Sequence, residues 1–147
     1  MVKVKDKYNE ICAIGNYKEL GRIRDFIKHK AEGFGFDGDE INNICLAVDE
    51  ACSNLIRHAF NFDSKRKICI KIEVDNNAFI VNVIDNGKPF NPLEATLPNM
   101  KEYIAKPKRG GLGLMIMMSI MDDISYIPSN ETNPNNILKL KKLLNSN

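Results

Sequence analysis

Three side chains able to bind a metal ion or move a proton stand four residues apart in the segment AVDEACSNLIRHAF: Glu50, Asn54 and His58. This spacing places them on one face of a helix. A carboxylate and an amide oxygen one turn apart suit Mg²⁺, which shares its oxygen ligands with phosphates. Such a stripe alone is more often a solvated helix face, so its assignment depends on two later motifs.

A second motif, VIDNGKPF, ends an alternating strand pattern with Asp85, Asn86 and Gly87. An ionised carboxylate at a strand end only accepts hydrogen bonds, which suits the exocyclic amino group of adenine. Gly87 allows the backbone to turn and to approach a ligand closely. An ordinary Asn-Gly turn explains the same residues equally well.

A third motif, KPKRGGLGLMIMMSIMDD, places Gly110, Gly111 and Gly113 before an apolar helix that we predict to begin near Leu114. Glycines that open a helix expose free backbone N–H groups at the positive end of its dipole, where a phosphate can bind. The pattern is neither a Walker loop nor a dinucleotide fingerprint, because no Gly-Lys-Ser/Thr follows and Ile116 replaces the third glycine. A flexible hinge is the alternative, and the methionines of this helix are interpreted as core.

In this order and at these separations, the three motifs resemble the ATP-binding fold of the GHKL superfamily, shared by DNA gyrase, histidine kinases and MutL. Within it, the chain is most similar to the small bacterial anti-sigma-factor serine/threonine kinases of partner-switching systems. The residues that carry the resemblance are Glu50, Ala51, Asn54, His58, Ala59, Asp85, Gly87, Phe90, Arg109, Gly111, Gly113 and Met121-Asp122-Asp123. Asn135 and Asn136 stand where relatives often carry a threonine or serine behind the adenine-binding aspartate, and an asparagine can hold the same water.

The resemblance implies the role of each candidate residue. Glu50 and Arg109 would be catalytic, as the base for a serine hydroxyl and as a cation on the γ-phosphate. Asn54 would hold Mg²⁺, Asp85 would select adenine, and His58 would touch phosphate. The further residues expected to contact ATP are Gly87, Gly111, Leu112, Gly113 and Leu114.

By the same resemblance, the protein would be an ATP-dependent serine/threonine kinase that phosphorylates an anti-sigma-factor antagonist. A sigma factor would be its sequestered partner, and relatives are often homodimers. Histidine kinases and gyrase need further domains for which this chain has no room. Two alternatives stay open: a non-catalytic, ATP-dependent partner-binding module, and a slow ATPase whose nucleotide state drives a conformational change.

Composition agrees with a single domain over residues 1–147. The formal charge is +2 with interspersed signs, so neither nucleic acid nor a membrane surface is expected as a partner. The amino terminus has no apolar signal core, which predicts a cytoplasmic protein. Cys12, Cys45, Cys52 and Cys69 have no zinc or redox spacing, so we expect free thiols and no structural metal.

The elements that must position these motifs follow from periodicity. Asn16 caps a predicted helix that Gly33 to Gly35 ends, and Asp37 to Asp39 cap the motif helix, which should reach about Ala59. We predict strands within 2–15, at 68–74, from Phe79 to Asp85, at 124–127 and at 138–140. The expected fold is α+β: a two-layer sandwich with a mixed, mostly antiparallel sheet and three main helices on one face.

Overall fold

The computed structural model describes residues 9–61, 63, 65–94, 99–105 and 112–145. The strands are β1 (Glu10–Ile14), β2 (Lys67–Asp75), β3 (Ala78–Asp85), β4 (Asp123–Ile127) and β5 (Asn136–Leu143). The helices are α1 (Leu20–Phe34), α2 (Gly38–Asn54), α3 (Met100–Ala105) and α4 (Gly113–Ile120), and a π-helical turn (Leu55–Ala59) continues α2. Short 3₁₀ turns lie at Tyr17–Glu19 and Pro92–Glu94.

The two long helices begin and end close to the predicted residues, although a 3₁₀ turn precedes α1 and a π-helical turn replaces the last predicted turn of α2. The side chain of Asn16 accepts a hydrogen bond from the backbone N–H of Glu19 at 3.2 Å, in the 3₁₀ turn that leads into α1. Gly35 ends α1 with a φ of 117°, a left-handed conformation that glycine adopts without strain. Asp37 caps α2 by accepting from the N–H of Glu40 at 2.8 Å. These local signals fix where the motif helix starts.

The five strands form one sheet in the order β1-β2-β3-β5-β4. Each of the four pairings is antiparallel, so the described strands contain no parallel pair and the expected mixed character is absent from them. In the register, Ile68, Asp85 and Asn136 lie opposite one another across β2, β3 and β5. The last residue of β3 therefore meets the first residue of β5, which sets up the candidate site.

The hydrophobic core lies between the sheet and the helices, as the α+β prediction requires. Alternate residues of β2 and β3, including Ile70 and Phe79, are fully buried against Ile27 of α1, Ile44 of α2 and Met117 of α4. Arg24 links α1 to α2 by donating from Nε and Nη2 to the same Asp49 oxygen, Oδ2, at 3.1 and 2.9 Å. Along the described chain, no helix is both long and apolar enough to cross a bilayer.

The cysteine prediction is wrong for one pair and confirmed for the other. Cys12 and Cys69 lie directly opposite each other in β1 and β2, and their Sγ atoms form a disulfide. Spacing along the chain gives no sign of this pairing, because it depends on strand register across 57 residues. Cys45 and Cys52 are free and buried in α2. Burial raises the pKa of the Cys52 thiol well above its ordinary value.

Candidate functional site

The N-terminus of α4 lies against the motif helix at Glu50 and Asn54. A Cβ placed on Gly113 would lie 2.8 Å from Glu50 Oε2 and 3.6 and 3.7 Å from the two terminal side-chain atoms of Asn54. Both side chains therefore converge on one point beside the first turn of α4, where a side chain at position 113 would displace the Glu50 carboxylate. The structure thus brings Gly113 next to Glu50 and Asn54, which precede it by about sixty residues in sequence.

Asn54 has a neighbour that the sequence interpretation missed. The Arg57 guanidinium donates to Asn54 Oδ1 at 3.0 Å, so a cation stands beside the candidate metal ligand. The three-residue spacing on a helix was the available signal, because such residues are surface neighbours. The pair keeps the amide oxygen oriented within a polar cluster.

His58 follows Asn54 within a change of helix type. The chain widens into a π-helical turn after Asn54, and the N–H of Phe60 bonds to the carbonyl of Leu55 at 2.8 Å. A wider turn shifts the following side chains around the helix axis, and such turns are frequent at functional sites. His58 is exposed and stacks on the Phe90 ring, with centroids 4.9 Å apart and planes 19° apart.

Asp85 is the buried acid of the candidate site, with only 4% of its surface exposed. Its Oδ1 accepts from the N–H of Gly87 at 2.8 Å and from Asn136 Nδ2 at 3.0 Å. Within the described residues, both hydrogen bonds thus end on the same oxygen. The other oxygen, Oδ2, is the acceptor that a ligand can use.

Burial raises the pKa of the Asp85 carboxyl above its ordinary value, while the hydrogen bonds from Asn136 and Gly87 oppose that rise. Desolvation disfavours the charged form, and donors directed at the carboxylate favour it. The donors therefore help to keep Asp85 ionised as an acceptor.

Asn136 holds the Asp85 turn from behind and is fully buried. Besides Asp85, its Nδ2 donates to the carbonyl of Gly87 at 3.0 Å, and its Oδ1 accepts from the N–H of Ser129 at 2.7 Å. The sequence predicts that an asparagine at this position can hold a water beside Asp85. In the structure the amide bonds to the carboxylate directly, and it also ties the β4–β5 loop to the same turn.

A small pocket opens between the motif helix and the ends of β3, β4 and β5. Its lining is mostly apolar, with Asn54, Asp85 and Tyr126 as the polar groups. The residues that line it are Ala51, Asn54, Leu55, Asp85, Phe90, Pro92, Tyr126 and Leu138. The Tyr126 hydroxyl accepts from the N–H of Phe90 at 3.0 Å, which fixes the start of the chain that leaves β3. The pocket holds only about 10 Å³ in this structure, so its walls must move apart before an aromatic base can enter beside the Asp85 carboxylate.

Phe60 packs between two glycines from opposite parts of the chain. A Cβ on Gly15 would lie 2.5 Å from the Phe60 ring, and one on Gly87 would lie 2.7 Å from it. The ring is 3% exposed, so it has little room to move aside. Gly87 is therefore required for the close approach of Phe60 to the turn after Asp85.

The remaining predicted residues belong to the glycine segment. Gly113 and Leu114 are buried in the first turn of α4, directly after Leu112. The first N–H groups of a helix have no partner within it, so those of Gly113 and Leu114 can meet an anion beside Glu50. Arg109 and Gly111 lie outside the described residues.

Comparison with known proteins identifies the family. Residues 16–142 match the histidine kinase-like ATPase domain family. The serine-protein kinase RsbW of Bacillus subtilis is 30% identical over 122 residues, which cover 80% of this chain and 76% of that protein. The RsbW of Listeria innocua is 29% identical over 130 residues, covering 84% of this chain and 81% of that one.

Solved structures share the fold at lower identity. One contains the RsbU and RsbW domains of Rv1364c from Mycobacterium tuberculosis, with a TM-score of 0.62 and 16% identity, covering 92% of this chain and 31% of that one. Another, the SiaB–SiaC complex of Pseudomonas aeruginosa, has a TM-score of 0.57 and 13% identity, covering 98% of both chains. The architecture agrees with these neighbours, and the sequence match over nearly the whole chain shows that the protein belongs to the histidine kinase-like ATPase domain family.

Proposed function

We propose that this protein is an ATP-dependent serine/threonine kinase that phosphorylates an anti-sigma-factor antagonist in a partner-switching system. The observation that carries the proposal is the convergence of Glu50 and Asn54 on Gly113, since Asn54 also lines the pocket that contains Asp85. A candidate base, a metal ligand and a base-selective acceptor thereby form one continuous site.

Asp85 selects adenine in this proposal. Its Oδ2 accepts from the adenine amino group, whereas guanine presents a carbonyl at the same position and leaves the carboxylate unpaired. Once the pocket has opened, its apolar side chains Ala51, Leu55 and Leu138 would pack against the base.

Asn54 is the residue proposed to hold Mg²⁺. The donor set suits a hard cation, because Glu50 Oε2 and Asn54 Oδ1 both lie within 4 Å of a Cβ placed on Gly113. A bound Mg²⁺ would supply charge neutralisation for the phosphates. Arg57, which donates to Asn54 Oδ1, orients that amide and adds positive charge near the phosphates.

Glu50 is the proposed general base. It stands beside the N-terminus of α4, where the first N–H groups of the helix can hold the phosphate chain. A serine hydroxyl that approaches the γ-phosphorus from this side gives its proton to Glu50 while its oxygen attacks. Positioning and charge neutralisation supply most of the catalysis in phosphoryl transfer. Arg109 and Gly111, as proposed from the sequence, add charge and donors on the γ-phosphoryl side.

The partners are proposed from the named relatives. The serine-protein kinases RsbW are similar to this chain over most of its length, which supports a protein serine as the phosphate acceptor. We extend the proposal to a small antagonist protein as substrate and a sigma factor as sequestered partner. A homodimer stays a prediction from the family resemblance.

The decisive experiment incubates the purified protein with γ-labelled ATP, Mg²⁺ and each candidate antagonist encoded in the same genome. Label on an antagonist serine supports the kinase. Release of free phosphate without labelled protein would instead identify an ATPase. Nucleotide-dependent binding of the partner with neither product would identify a non-catalytic binding module.

A further inference from the structure

The disulfide between Cys12 and Cys69 lies away from the nucleotide site, on the face of the sheet opposite the helices. Cys12 is exposed and Cys69 is half-buried, whereas Ala13 and Ile68, their neighbours in sequence, are buried in the core. Small thiols in solution can therefore reach the sulfur atoms of this pair. The other two cysteines are enclosed by the core.

The strand register explains why these two sulfur atoms meet. Ile72 donates its N–H to the carbonyl of Asn9 at 2.8 Å, and Gly15 donates to the carbonyl of Arg66 at 2.7 Å. In an antiparallel ladder, hydrogen-bonded and non-hydrogen-bonded pairs alternate, which makes Cys12 and Cys69 a non-hydrogen-bonded pair. Side chains of such pairs are closest, so the folded backbone holds two thiols at bonding distance without rearrangement.

A covalent bond between these two cysteines would attach β1 to β2. Among the described strands, β1 lies at the edge of the sheet and pairs with β2 alone. The last hydrogen bond of this pairing, from Gly15 to Arg66, lies beside Phe60, which contacts the turn after Asp85. A bond between Cys12 and Cys69 therefore fixes the edge strand that adjoins the candidate nucleotide site.

We propose that Cys12 and Cys69 form a reversible thiol–disulfide site, which exchanges with low-molecular-weight disulfides of the glutathione class and fixes β1 on the sheet when oxidised. Exposed disulfides are the ones that exchange readily with such thiols. The site is independent of the proposed kinase activity, since none of the assigned nucleotide or catalytic residues takes part.

The exchange proceeds in two balanced steps. The thiolate of one cysteine attacks the small disulfide, forms a mixed disulfide and expels one small thiolate. The second cysteine, as its thiolate, then attacks the protein sulfur of the mixed disulfide, closes the Cys12–Cys69 bond and expels the second small thiolate. The protein loses two electrons and two protons, and the small disulfide gains both as two thiols.

The test equilibrates the full-length protein in glutathione buffers of different ratio, quenches it with N-ethylmaleimide and measures the intact mass. We expect two maleimide tags on the native protein in reducing buffer and none in oxidising buffer, with a reversible transition in which both tags appear together. Cys45 and Cys52 should react only in denaturant, because they are buried. A bond that forms at no ratio, or that is broken only when the protein unfolds, would overturn the proposal.

Two further measurements make the result specific. The Cys12→Ser variant should carry one glutathione on Cys69 in oxidising buffer, while a Cys45→Ser variant should behave as the parent. Hydrogen exchange of the β1 amides should be slower in the oxidised protein than in the reduced one, with α1 unchanged. Equal exchange of β1 in both states would refute the proposed fixing of the edge strand.

Discussion

Asn136 donates to Asp85 Oδ1 at 3.0 Å and thereby leaves Asp85 Oδ2 able to accept from a ligand. The Asp85→Asn variant tests this arrangement. Its side-chain oxygen can still accept from Asn136 and Gly87, but an amino group would replace Oδ2 and repel the adenine amino group. We expect ATP and ADP affinity to fall roughly 10²-fold or more, as measured by calorimetry.

The same variant should stay folded. Burial raises the pKa of Asp85 in the folded protein, so the folded protein binds the carboxyl proton more tightly than the unfolded chain does. The free energy of unfolding therefore falls as the pH rises through the interval between the unfolded and folded pKa values. At neutral pH the buried charge of Asp85 therefore lowers the free energy of unfolding, and Asp85→Asn removes this destabilisation. A melting temperature well below that of the parent at pH 7 would contradict this argument.

Asn136 is expected to control the pH dependence of binding. As the pH falls through the raised pKa of Asp85, the carboxylate gains a proton and adenine affinity should decline. Asn136→Ala removes a donor to the charged form, so this decline should move to higher pH, and affinity at pH 7 should fall by about tenfold or more.

ADP titrations across pH, with circular dichroism to monitor folding, measure both effects. An exposed change in the same loop, Glu131→Gln, is the control, and an unmoved pH profile in Asn136→Ala would exclude the role.

Gly113→Ala tests the contact between α4 and the motif helix. The added Cβ would lie 2.8 Å from Glu50 Oε2, so the carboxylate must shift. Displacing a catalytic group by about 1 Å can cost roughly 10²-fold in rate, and we expect phosphoryl transfer to drop accordingly. Gly21→Ala is the matched control, because nothing lies within 4 Å of its added Cβ. That helix substitution should raise stability by about 0.4–1 kcal/mol and leave transfer unchanged.

Glu50→Gln separates chemistry from binding. Glutamine keeps the shape of the side chain but cannot take a proton at neutral pH, so transfer to the antagonist should slow by roughly 10²–10⁴-fold. ATP affinity should stay within a few-fold of the parent value, and partner binding should persist. Single-turnover transfer and calorimetry provide the two readouts, with the exposed Glu32→Gln as control. Unaltered transfer would remove Glu50 from the mechanism.

His58 offers a choice between two roles. The sequence interpretation assigned it to phosphate, while the structure stacks it on Phe90 at 4.9 Å. If the stack is what matters, His58→Phe should retain nucleotide affinity, and His58→Ala should lose roughly two- to tenfold, the worth of an aromatic pair. Equal loss of ATP affinity in both variants would instead favour a phosphate contact through the imidazole.

Local and periodic signals predicted the elements of this fold well. The caps at Asn16 and Asp37 and the left-handed Gly35 depend on residues within one turn, so a single segment contains the information. The strand from Lys67 to Asp75 is equally visible, since buried residues alternate with less buried ones from Lys67 to Glu73. The sheet differs from its prediction only in lacking the expected parallel pairing among the described strands.

Contacts that depend on register could not be predicted in this way. The Cys12–Cys69 bond and the contact of Asn136 with Asp85 each join residues on neighbouring strands, and a shift of one residue would remove either. The stacking of His58 follows from a π-helical turn for which the apolar periodicity gave no signal. The roles of Arg109 and Gly111 stay predictions.

The position of Phe60 between Gly15 and Gly87 has a consequence for how relatives of this protein can diverge. A larger residue at either glycine would press the ring towards the other, so neither position can change alone while the aromatic ring remains. We therefore expect the three positions to vary together: homologues with a side chain at position 15 or 87 should carry a small residue at position 60. Evolution of the residue that follows β1 is in this way linked to that of the turn after Asp85.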